Sequence, residues 1–109
     1  MLLIIKTKID SESRQKVAED LKGYIKVVVD IRRKLLSAGG QKHVDGEQML
    51  LEDGSRQEDI WGAGLDLETN AMDFDSMINI RPLKNASREI LDINIRQQVE
   101  SITRSLLQE

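Results

Sequence analysis

The clearest two-residue period in the chain lies in "YIKVVVDIRRKLL", where Ile25, Val27, Val29 and Ile31 share one face and β-branched side chains favour a strand. The following "SAGG" offers paired glycines for a tight reversal, so "QKHVDGEQMLLE" is expected to return as the antiparallel partner. Asp53-Gly54 is the strongest turn signal. Beyond it, "DIWGAGLDL" and "FDSMINIR" read as two more strands, separated by the polar loop from Glu68 to Asp73.

The helical period appears at the two ends. A short strand over Leu2 to Ile5 precedes a helix that Asp10, Ser11 or Ser13 can cap, running to Gly23 with Val17, Ala18 and Leu21 on its buried side. Past Pro82, the only proline, "LKNASRE" reads as a loop. Asp92 then caps a final helix whose Ile95, Val99, Ile102 and Leu106 recur at i, i+4, i+7 and i+11. These elements predict an α+β fold, a four-stranded antiparallel meander with an N-terminal and a C-terminal helix packed on one face.

Length and composition agree with that outline. A chain of 109 residues is expected to form a single domain over 1–109, since halves would be too small to bury separate cores. With Tyr24, Trp61 and Phe74 as the only aromatic residues, the core must be aliphatic. The absence of cysteine excludes disulfides, zinc-thiolate sites and thiol nucleophiles, and fits a reducing compartment. The apolar run in "MLLIIKTKI" is too short for a signal peptide or a membrane span, so a cytoplasmic protein with no membrane partner is expected.

Charge changes the picture more. Between Asp45 and Asp75 ten acidic residues face one base, Arg56, whereas the rest of the chain has a basic surplus. Such a segment repels phosphate backbones, and few aromatic rings remain to stack on bases, which disfavours nucleic acid as a partner. The run Arg32-Arg33-Lys34 reads as a solvated strand end.

Candidate chemistry concentrates in "HVDGEQMLLEDGSRQEDIWG". In a strand His43, Asp45 and Glu47 would share a face, successive Cα atoms being about 6.6 to 6.8 Å apart, close enough to converge on magnesium or manganese. Met49 and Leu51 have the same parity, so Gly46 would mark a bulge or the polar set would rim a pocket. Glu52, Asp53, Gln57, Asp59 and Trp61 extend this candidate surface, and Arg81 would hold an oxyanion. Each also has a structural reading: a hydrogen-bonded histidine, turn carboxylates, a core tryptophan whose indole N–H finds a carbonyl, exposed ion pairs. The spacing matches no metal motif, no nucleophile elbow surrounds Ser37, Ser55 or Ser76, and Gly62 and Gly64 precede no helix that would make them a nucleotide loop.

These same stretches, "LLEDGSRQEDIWG" above all, with Gly39-Gly40, the His43 and Asp45 pair, and "SMINIRP" in matching order, resemble a small, mainly bacterial family of uncharacterised proteins known as a domain of unknown function. The likeness runs from Val27 to the final helix. "LDLETNAMDFD" departs from the family's proline-containing loop, and "DINIR" lacks the proline expected after Asp92. The resemblance implies an order of elements and a surface, but no activity. Two functional classes follow from the residues. One is a non-catalytic binding or self-associating module, with an open sheet edge as the route to a homodimer, presenting an acidic hairpin. The other is a metal-dependent hydrolase of phosphate esters built on the His43/Asp45/Glu47 cluster.

Overall fold

The computed structural model describes residues 1–108. Five antiparallel strands form its sheet: β1 (Leu3–Ile5), β2 (Tyr24–Asp30), β3 (Leu35–Ala38), β4 (Ile60–Asp66) and β5 (Met72–Asp73), in the order β1-β3-β2-β4-β5. Three helices accompany them, α1 (Ser11–Ala18), α2 (His43–Glu52) and α3 (Ile93–Leu107), with short 3₁₀ turns over Gln57–Asp59 and Met77–Asn79. The α+β class is as expected, whereas the strand count and the number of helices are not.

The run taken for one long strand is a hairpin. It breaks because the Asp30 side chain, fully buried, accepts the backbone N–H of Arg32 and of Arg33, each at 2.9 Å, and turns the chain through Ile31–Lys34. Asp30 then faces Leu35 across the β2–β3 pair. The expected partner strand "QKHVDGEQMLLE" is instead the helix α2, which removes both the acidic hairpin and the bulge at Gly46. Gly46 and Leu50, at i and i+4, are its buried residues. A Cβ on Gly46 would stand 2.4 Å from Ser37 Oγ and 3.1 Å from Val28 Cγ2, so glycine is what lets the helix backbone lie directly on β2 and β3. Asp53-Gly54 ends this helix rather than joining two strands: Gly54 takes φ +107°, and Ser55 N–H reaches back to Leu50 O at 2.9 Å.

The terminal helices keep their expected places. Asp10, of the three candidate caps, accepts Ser13 N–H at 2.7 Å, and α1 stops at Ala18, short of Gly23. Asp92 accepts from Asn94 N–H at 2.8 Å and Ile95 N–H at 3.3 Å, opening α3. Val17 of α1 and Val99, Leu106 and Leu107 of α3 pack on Ile25, Val27, Val29, Leu36, Ala38, Ala63 and Leu65 in the main core. Each fully buried aliphatic side chain there contributes about 1.5 to 3 kcal/mol. The opposite face, expected to be open, is covered by α2, where Val28, Leu35, Leu50 and Ile60 form a second apolar cluster. Asp92→Ala removes both cap bonds and is expected to lower stability by about 1 kcal/mol, read from urea midpoints at unchanged m-value.

The outer edge of β4 is closed largely by side chains. β5 pairs only with Gly64 and Leu65. At Gly62 the fully buried Asn79 stands in for a strand: its Oδ1 accepts Gly62 N–H at 2.8 Å and its Nδ2 donates to Gly62 O at 2.9 Å. At Ile60 the Arg81 guanidinium donates to the carbonyl, and also to Glu58 O at 3.2 Å. "FDSMINIR" is therefore not a strand beyond Asp73. It is a 3₁₀ turn, opened by Ser76 through its bond to Ile78 N–H at 3.3 Å, that carries strand-replacing side chains. Asn85 fixes the segment that follows, donating to Asn79 O, Ser87 O and Glu89 O and accepting Leu91 N–H.

Candidate functional site

As a helix, "HVDGEQMLLE" disperses the residues that a strand would have aligned. Positions i and i+2 do not share a helical face. His43 turns inward, donating Nε2–H to Ala63 O at 2.7 Å. Asp45 points to solvent with no partner among the described residues, and Glu47 accepts Gln57 Nε2 at 2.7 Å. Among the described residues no group of three histidine or carboxylate side chains is placed to hold a metal ion.

Burial lowers the His43 pKa from its ordinary 6.5, against the opposing pull of the Ala63 carbonyl and the carboxylates of Asp73 and Asp75, with Lys26 adding to the depression. The imidazole is therefore held neutral. The unfolded chain binds this proton first on acidification, so the stabilisation from neutral His43 is complete above pH 6.5 and is lost as pH falls from there through the lower folded value. His43→Gln keeps a donor for Ala63 O without a titrating group. Its stability, compared with wild type by urea unfolding at a series of pH values, is expected to fall less steeply below pH 6.5. Parallel curves would contradict this placement of the proton.

Two carboxylates of the acidic segment are neutralised by the basic run expected to be a solvated strand end. Arg32 Nε lies 2.9 Å from Asp59 and Arg33 Nη2 lies 2.8 Å from Asp53, which Lys6 also approaches at 3.3 Å. The Arg33 hydrogen bond is the main reason the Asp53 pKa is lowered, with Lys6 adding to it. Behind them Ser55 Oγ donates to Asp30 Oδ2 at 2.7 Å and accepts Arg33 Nη1 at 2.9 Å.

Trp61 and Arg81 are spent on structure. The indole is a core side chain with the Arg81 guanidinium 3.9 Å from its ring centroid. Its N–H meets no acceptor among the described residues, contrary to the carbonyl partner expected. Arg81, committed to Ile60 O and Glu58 O, has its pKa pushed down by burial, which Glu47 and Asp59 partly offset. An oxyanion would have to displace those backbone contacts.

Sequence reasoning missed a cleft of about 540 Å³ beside the start of α2, lined by Tyr24, Lys26, His43, Asp73, Asp75 and Arg88 among others. The Tyr24 ring lies over Gly64, where a Cβ would fall 1.8 Å from its hydroxyl oxygen. That hydroxyl donates to Asp73 Oδ2, and burial, then Asp73, raises the tyrosine pKa. Arg88 pairs with Asp75 at 2.8 Å. With Lys26, Lys42 and Arg88 against Asp73, Asp75 and Glu89, the cleft is electrically balanced. The signal was the tyrosine two residues out of register with Gly64, visible only once Tyr24 is known to face Asp66.

Among the described residues no helix is long and apolar enough to cross a membrane. A family model described as a protein of unknown function (DUF5674) matches residues 3–106. No curated protein and no solved structure matches the chain.

Proposed function

Because the chain belongs to this family of unknown function, DUF5674, which brings no activity with it, we propose from the geometry that it is a single-domain, non-catalytic binding module. Its recognition surface is the outer face of α2, and its partner is a basic protein segment or a second copy of the chain in a cytoplasmic setting. The supporting observation is how the carboxylates are partnered. Asp53 and Asp59 are met by arginines and Glu47 lies in the field of Arg81, but Asp45 has no partner among the described residues, and Glu52 is met only by the neutral amide of Gln48. Asp45, Gln48 and Glu52 recur at i, i+3 and i+7, a single outward face, with half-exposed Val44 beside it.

Glu52 sharpens the point. It stands in the last turn of α2, where the helix dipole disfavours negative charge, and no basic residue in that turn offsets it. A surface that keeps unneutralised charge steers an oppositely charged partner and repels nucleic acid. A metal-dependent phosphate-ester hydrolase with magnesium or manganese on His43, Asp45 and Glu47 lacks comparable support, because His43 faces inward while Asp45 faces out.

The test is an NMR titration of the labelled chain with a short oligo-arginine peptide. Saturable shifts confined to residues 44–52, and abolished in Asp45→Asn/Glu52→Gln, are expected. Shifts spread equally over the exposed acids Glu12, Glu68 and Glu89, or none that saturate, would overturn the assignment.

A further inference from the structure

The cleft beside the start of α2 keeps unpaired groups of both signs after its internal bonds are made. Among its acceptors, His43 donates Nε2–H to Ala63 O, which fixes the tautomer and leaves Nδ1 as a lone pair with no partner among the described residues. Asp75 gives one oxygen to Arg88 Nε at 2.8 Å and keeps the other free, and the Glu89 carboxylate meets no base among the described residues.

Its donors are equally incomplete. Ser76 is only 2% exposed, and although its Oγ accepts Ile78 N–H, its own O–H reaches no acceptor among the described residues. A buried hydroxyl proton left in that state costs free energy that an acceptor in the cleft would recover. The Lys42 side chain has no partner among the described residues, and α2 opens there without a side-chain cap, so the N–H groups of His43 and Val44 are also unpaired. Val44 and Met77, both more than half exposed, and Ile78 complete the lining with apolar surface.

We propose that this cleft binds a small zwitterion of the amino-acid type with an aliphatic side chain. The ammonium is received by His43 Nδ1, the free oxygen of Asp75 and Glu89. The carboxylate is received by Ser76 O–H, Lys42 and the first N–H groups of α2, while the side chain covers Val44 and Met77. A simple anion would meet Asp73, Asp75 and Glu89, and a simple cation would meet Lys26, Lys42 and Arg88, so a ligand carrying both charges is the one that a balanced lining complements. The volume of about 540 Å³ lies in the range of small-molecule sites, about 300 to 1,000 Å³. This site is separate from the acidic outer face of α2, because its lining includes none of Asp45, Gln48 and Glu52.

The test is an NMR titration of the labelled full chain with L-leucine, N-acetyl-L-leucine and L-leucinamide. Leucine is expected to give saturable shifts at residues 42–44 and 73–78. Each blocked analogue loses one charge-assisted contact and should bind about tenfold or more weakly. Lys42→Gln, at an exposed position with no internal partner, should weaken leucine by a similar factor and leave the rest of the spectrum unchanged. N-acetyl-leucine binding as tightly as leucine overturns the seat for the ammonium, and leucinamide doing so overturns the seat for the carboxylate. No saturable shift with leucine overturns the proposal as a whole.

Discussion

Asn79→Ala is expected to destabilise the fold by about 4 kcal/mol, among the largest costs a single substitution produces. The amide satisfies Gly62 N–H and Gly62 O, and also donates to Phe74 O at 3.2 Å and Arg88 O at 3.1 Å, all from a side chain with no exposure. Truncation leaves the Gly62 amide and carbonyl buried without partners and opens a cavity beside them. For a domain of this size the melting temperature should fall by roughly 15 to 30 °C. Asn79→Asp should rescue little, because its second oxygen would face three carbonyls in place of a donor. Circular-dichroism melts of both variants decide the matter, and a loss under about 1 kcal/mol for alanine would mean that the β4 edge does not depend on this amide.

Asp30→Ala is the second large effect, expected at about 3 to 5 kcal/mol. It removes the acceptor of Arg32 N–H, Arg33 N–H and the Ser55 hydroxyl, and with them the turn that separates β2 from β3. Asp30→Asn retains an acceptor for the two turn amides and gives Ser55 a donor in exchange, so its cost should be well under half that of alanine. Urea denaturation of the pair separates the two roles. Equal losses would show that the negative charge, and not the turn geometry, is what the position requires.

How legible such features were in the sequence depended on whether their partners are local. Asp92 and the stripe of Ile95, Val99, Ile102 and Leu106 define a helix by themselves, and α3 is where the sequence places it. For α1 the sequence marked Val17 as buried but left Asp10, Ser11 and Ser13 as equal caps and ran the helix past its end at Ala18. The misreading of α2 began at Gly39-Gly40, taken for a hairpin reversal, and the reason for the glycine at Gly46, contact with Ser37 and Val28 of a distant segment, is absent from the local pattern. Ile31 continues the two-residue period of β2, which hid the reversal that Asp30 sets. In "SMINIRP" the alternation is real, but its polar members turn inward to replace backbone partners.

The candidate surface divides along the same line. Asp53, Asp59, Trp61, Arg81 and His43 all acquire intramolecular partners or core positions that sequence cannot reveal, because the bases and carbonyls they meet are far along the chain. Gln57 is taken up by Glu47. Of those candidates, what remains outward is Asp45 and Glu52, so the candidate surface contracts to one helical face.

That contraction is tested most directly by measuring unfolding free energy and oligo-arginine affinity on the same samples of wild type and Asp45→Asn/Glu52→Gln. Relieving Glu52 of its unfavourable place at the end of α2 while Asp45 gives up a favourable one should leave stability within about 0.5 kcal/mol of wild type. Affinity for the peptide should be lost. A variant that is clearly destabilised yet binds as tightly as wild type would contradict the account, placing these carboxylates in the scaffold and the recognition surface elsewhere.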